Sequence, residues 1–154
     1  MAQRNRWLSV AVGTALLTGG LIATSPPAAA GGCTVGYICG KVINDTRTKM
    51  HYTTNLGSKR GTGTCDVWNK HGNWERAWKN MKCTQVELPA PGKRGGDGTG
   101  TDVDAFTFNH TGYYLKTSSS QVYREKGVWT KFTNEKTLRC YWASKSRPVV
   151  CTGL

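Results

Sequence analysis

The sequence predicts an all-β fold: a disulfide-stapled sandwich or barrel of about eight short antiparallel strands with one short helix. Three observations carry that prediction. Short runs rich in β-branched and aromatic residues recur between positions 37 and 151. Clusters of Asn, Asp, Gly and Ser separate those runs. Six cysteines, Cys33, Cys39, Cys65, Cys83, Cys140 and Cys151, all follow an N-terminal segment suited to export.

Residues 1–30 have the three parts of a signal peptide. Arg4 and Arg6 charge its start, an uncharged and largely apolar stretch covers 7–24, and Ala28, Ala29 and Ala30 supply a small-residue cleavage site. Gly13, Gly19 and Gly20 interrupt the apolar stretch and Pro26 and Pro27 end it, which falls short of the roughly 20 apolar residues of a membrane span. Asn5 separates the two arginines, so general secretion is indicated over a twin-arginine route. Cleavage leaves residues 31–154 as a single secreted, extracellular β domain without an integral membrane segment.

Strands are expected over 37–44, 49–55, 83–88, 103–108, 113–117, 121–124, 128–133 and 137–142. Pro148 precedes Val149, Val150 and Cys151, a pattern that fits a final edge strand. One segment departs from the period of two. Trp74, Ala77, Trp78 and Met81 sit at i, i+3, i+4 and i+7, one face of a helix, with Asn73 as its N-cap and Glu75 and Lys79 paired on the solvent side. Residues 89–101 hold Gly92, Gly95, Gly96, Gly98 and Gly100 and read as a flexible loop inside the domain.

An even set of cysteines in an exported chain implies three disulfides. No Cys or His pair has the short spacing of a metal site, so no metal and no cofactor is expected. Cys65–Cys83 is the preferred local staple. The other four pair either as Cys33–Cys39 with Cys140–Cys151, or as Cys33–Cys151 with Cys39–Cys140.

The chain carries 21 Lys and Arg against nine Asp and Glu, and only Arg4 and Arg6 leave with the leader. Such a surface attracts anionic partners. Trp68, Trp74, Trp78, Trp129 and Trp142, with Tyr113, Tyr114, Tyr123 and Tyr141, lie among Lys70, Arg76, Lys79, Lys82, Lys116, Arg124, Lys131 and Arg139. Rings beside cations stack on bases or sugars, although a small β domain also needs most of its rings for its core. Three other patterns were weighed. Asp97, Asp102 and Asp104 suggest calcium, but the loop lacks the acids and the bidentate Glu of an EF-hand. His51, His71 and His110, with Glu75 and Glu87, could furnish the acid and base of a secreted ribonuclease. Asn44 and Asn109 match the glycosylation acceptor pattern, which is read as coincidence.

The leader, the GYICGKVIND opening, DVDAFTF and GVWTKF together resemble small secreted actinobacterial proteins of uncharacterised function. The resemblance assigns no functional residue. The leading expectation is therefore a secreted, non-enzymatic cationic binding protein directed at an anionic polymer, an envelope surface or an acidic protein. Its binding residues are expected at Lys93 and Arg94 in the loop and at Trp74, Arg76, Trp78 and Lys79 in the helix. The alternatives are a small hydrolase such as a ribonuclease, or a peptidase inhibitor presenting 92–101.

Overall fold

Alternation of apolar and polar residues builds two sheets whose apolar faces meet. The computed structural model describes residues 38–69, 78–144 and 148–154, which contain twelve strands and no helix. They are β1 (Lys41–Asp45), β2 (Met50–Thr53), β3 (Gly63–Val67), β4 (Trp78–Cys83), β5 (Val86–Leu88) and β6 (Gly92–Gly95), followed by β7 (Ala105–Thr107), β8 (Tyr113–Lys116), β9 (Gln121–Arg124), β10 (Val128–Lys131), β11 (Thr137–Trp142) and β12 (Val149–Thr152). The first sheet runs β6-β1-β11-β12-β8-β9 and the second β4-β3-β10-β7-β2-β5. Neither sheet closes on itself, so the fold is sandwich-like and not a barrel.

The strands are more numerous than the eight predicted and not all antiparallel. β1 with β11, β3 with β10 and β8 with β12 are parallel. Each pair joins strands far apart in the chain, which allows the crossover that a parallel pairing needs. Two of the unforeseen strands, β3 and β6, are glycine-bearing and weak in local β signal.

The helix is corrected where it is described. Trp78 and Met81 belong to β4, which pairs antiparallel with β3, while Asn73, Trp74 and Ala77 lie outside the described residues. Cross-strand pairing and the Cys65–Cys83 disulfide override the helical spacing. The register shifts between Cys65 and Val67, and on the facing strand Asn80 turns at φ +53° while its N–H donates to Asp66 Oδ1 at 2.7 Å.

Cys140–Cys151 joins directly opposed residues of β11 and β12, with Cα atoms 4.0 Å apart. This excludes the Cys33–Cys151 with Cys39–Cys140 alternative. Cys39 is also disulfide-bonded, and Cys33 lies outside the described residues. Disulfides fit an oxidising environment. Among the described residues no helix is long and apolar enough to cross a membrane.

Val42, Leu138, Val149 and Leu115 of the first sheet meet Met50, Tyr52, Phe106 and Phe108 in the main core. Its polar groups are paired. Tyr113 Oη donates to the Val128 carbonyl at 2.6 Å and contacts Thr130 Oγ1 at 2.8 Å, the oxygen that also accepts from Trp68 Nε1. Complete burial pushes the Tyr113 phenol far above its ordinary pKa. Asn44 is fully buried on β1 and its Nδ2 donates to the carbonyls of Thr48, Leu88 and Pro89. That bonding ties β1 of the first sheet to the end of edge strand β5 of the second and leaves no room for a glycan on Asn44.

Candidate functional site

Burial divides the aromatic residues into two sets. Trp68, Trp129 and Tyr113 are interior, so they build the fold. Arg124 is committed with them: its Cζ lies 3.4 Å from the Trp68 ring centroid, and burial lowers its pKa. Tyr114, Tyr123 and Tyr141 remain at the surface, and Tyr123 is 49% exposed.

Strand register places these three tyrosines on one face. Residues paired across a sheet share a face, and successive residues along a strand alternate. Tyr141 of β11 pairs with Val150 of β12, Val150 with Tyr114 of β8, and Tyr114 with Tyr123 of β9. This row lies on the outer face of the first sheet, opposite the core-facing Cys140, Cys151 and Leu115. Two residues along the same strands runs a second row: Lys93, Ile43, Arg139, Thr152, Lys116 and Gln121. One outer face therefore carries a track of rings beside a track bearing three cations.

Specific contacts hold the two tracks in place. The Tyr114 and Tyr123 centroids are 5.1 Å apart with planes at 57°. A Cβ on Gly112 would overlap the Tyr123 hydroxyl, so the missing side chain is what lets the ring lie there. Arg139 Nε donates to Asp45 Oδ2 at 2.9 Å, which fixes the guanidinium over the sheet.

At the β6 edge the cation track opens into a cleft of about 380 Å³ lined by Lys41, Lys93, Arg94, Asp97, Thr99 and Thr101. The segment expected as a loop thus contains strand β6 and a turn closed by the Gly96–Thr101 bridge. Gly95 is required here: its φ is +80°, and a Cβ would strike the Gly40 carbonyl. The three neighbouring acids bond separate backbone groups. Asp97 accepts from Cys39 N at 3.0 Å, Asp102 from Gly40 N at 2.7 Å and Asp104 from Leu56 N at 2.9 Å. Burial pushes the Asp104 carboxyl up to about 6, against the Leu56 N–H and with the help of the Asp102 charge. Among the described residues, no group of three or more His, Cys, Asp or Glu could hold a metal ion.

A second cluster stands at the β5 edge of the other sheet. His51 pairs across the strands with Glu87 and Thr107, and its ring centroid is 6.3 Å from that of His110. Lys49 Nζ bonds Glu87 Oε1 at 2.8 Å, an interaction that lowers the Glu87 pKa. His51 has its pKa lowered by burial first, with Glu87 opposing and His110 and Lys49 adding to the fall. Its Nδ1 is buried without a hydrogen-bond partner among the described residues.

Of the binding residues expected from sequence, Lys93 and Arg94 lie far from Lys79. Lys93 and Arg94 are exposed on β6. Lys79 is exposed on β4, at the edge of the second sheet remote from β5, the strand that abuts β6. Trp74 and Arg76 lie outside the described residues, as do His71 and Glu75; Trp78 opens β4. Lys41, Tyr114, Tyr123, Tyr141, Arg139 and Lys116 supply the other rings and cations of the outer face, among Ile43, Asp45, Val150, Thr152 and Gln121. Most of them stood out in sequence as rings and cations, but only register shows which belong together. Against known protein families, curated proteins and solved structures, the chain shows no significant match.

Proposed function

We propose that this chain is a secreted cationic binding protein that holds an anionic polymer along the outer face of its first sheet. The observation supporting this reading is the alignment of Lys93, Arg139 and Lys116 in one registered row, continued at the β6 edge by Lys41. The excess of 21 basic over nine acidic residues draws such a polymer in, and the leader at 1–30 accounts for delivery outside the cytoplasm. Binding of this kind weakens steeply with salt because each neutralised phosphate or carboxylate releases counterions.

Retention of the oxidised 31–154 chain on immobilised polyphosphate over a salt gradient tests the reading. Strong retention at low salt, reduced in a Lys93→Gln, Lys116→Gln double variant, supports it. Retention that ignores salt or ignores both substitutions overturns it.

The His51 and His110 pair beside Glu87 and Lys49 supports a second reading, a hydrolase of phosphodiesters. A neutral imidazole next to a second imidazole supplies a base and an acid within reach of one substrate. RNA fragments produced by the native chain and lost in His51→Ala or His110→Ala would establish that reading; intact RNA would dismiss it.

A further inference from the structure

We infer that the polymer carried by the outer face of the first sheet is single-stranded nucleic acid, with bases stacked on Tyr114, Tyr123 and Tyr141. The inference rests on the polyanion reading of that face and adds the chemistry of the ligand. A face that bound charge alone would need only the cation row. This one carries Lys93, Arg139 and Lys116 on alternate strands, about 10 Å apart at the usual strand spacing. The tyrosine row runs alongside, two residues away and so about 6.6 Å along the strands. Charge and flat apolar faces in parallel tracks match a chain whose every unit bears one phosphate and one base.

Ring geometry favours bases over the flat ribbon of a rigid glycan. Tyr114 and Tyr123 meet at 57°, so their faces share no common plane. A ribbon-like sugar chain requires coplanar rings, whereas bases turn independently about their own bonds to the sugar. Val150 is buried between Tyr141 and Tyr114 in the same row and gives the ring track an apolar floor. Tyr123, on edge strand β9, offers the most accessible ring.

The experiment compares labelled oligothymidylate, an abasic oligonucleotide of equal length, polyphosphate and polygalacturonate at one fixed ionic strength, using the oxidised 31–154 chain. Oligothymidylate should bind about ten-fold more tightly than the abasic strand, the gain expected from one or two stacked bases. Tyr123→Ala should remove most of that gain and leave abasic binding unchanged, and Tyr123→Phe should retain it. Equal affinity for the base-bearing and abasic strands would overturn the inference while the polyanion reading stood. Tighter binding of polygalacturonate than of oligothymidylate would also overturn it, in favour of an acidic glycan. Failure to bind any of the four at low salt would overturn the polyanion reading and the inference with it.

Discussion

The outer faces of the two sheets follow the same period of two but have different fates. On the second sheet, Cys65, Val67, Cys83, Ala105 and Trp129 face outward and form a second small core with Leu56 packed against it. On the first sheet the corresponding positions hold tyrosines and cations that remain accessible. An aromatic residue is therefore structural on one face and available on the other. Trp129 is 2% exposed and Tyr123 is 49% exposed, although each sits in a four-residue strand that ends on a basic residue. The covered face has the loop after β2 to close it, and that loop is anchored by the bond from Leu56 N to Asp104. Among the described residues the open face has no equivalent apolar set.

The largest test of this contrast is a pair of truncations. Trp129→Ala should cost about 3–5 kcal/mol of stability, since it empties the centre of the small outer core. Tyr123→Ala should cost under about 1 kcal/mol, as a substitution on an accessible surface. Urea denaturation of both variants measures this, and equal losses would mean that the two faces are built alike.

Acidity probes the covered face next. Asp104 holds its proton more tightly folded, near 6, than at the ordinary value of 3.8. The folded state therefore takes up a proton before the unfolded state does as pH falls from about 6 to about 4, so this group makes the protein more stable across that window. Above pH 6 the buried charge costs about 3 kcal/mol. Asp104→Asn should abolish that part of the pH dependence, and a slope unchanged from native would remove Asp104 from the account.

Two smaller effects address the open face. Gly95→Ala forces a side chain into a left-handed backbone position and against Gly40, at a cost of about 1–3 kcal/mol. It should also weaken polyanion binding by disturbing β6; unchanged stability in thermal unfolding would show that the β6 edge adapts. Lys116→Gln should change stability by no more than about 0.5 kcal/mol. It should reduce the slope of log affinity against log salt by about 1, the signature of one lost ionic contact. An unaltered slope would place Lys116 outside the binding track.

Much of the architecture is legible in the sequence. The runs at 113–117, 121–124 and 137–142 lie within a residue of β8, β9 and β11, because β-branched and aromatic residues are dense in them. Around Trp78 and Met81 the helical spacing is misleading, because local spacing says nothing of the disulfide and the partner strand β3. Of the candidate site, Lys93 and Arg94 were singled out from sequence, and the tyrosines appeared only within a longer list of rings. The pairing of His51 with His110 is not legible in sequence, since 59 positions separate them and only the fold brings β2 and the turn after β7 together, with the rings 6.3 Å apart.

The sequence by itself determined an all-β fold, a strong excess of basic residues and an even set of cysteines, because composition, period and spacing are local properties of the chain. Only the tertiary structure decided which rings are core and which are surface, that Cys140 meets Cys151, and that Lys93, Arg139 and Lys116 share a row. Those are properties of register. In a strand of period two, a slip of a single residue would turn every one of these side chains to the opposite face, and register is set by pairings between distant segments.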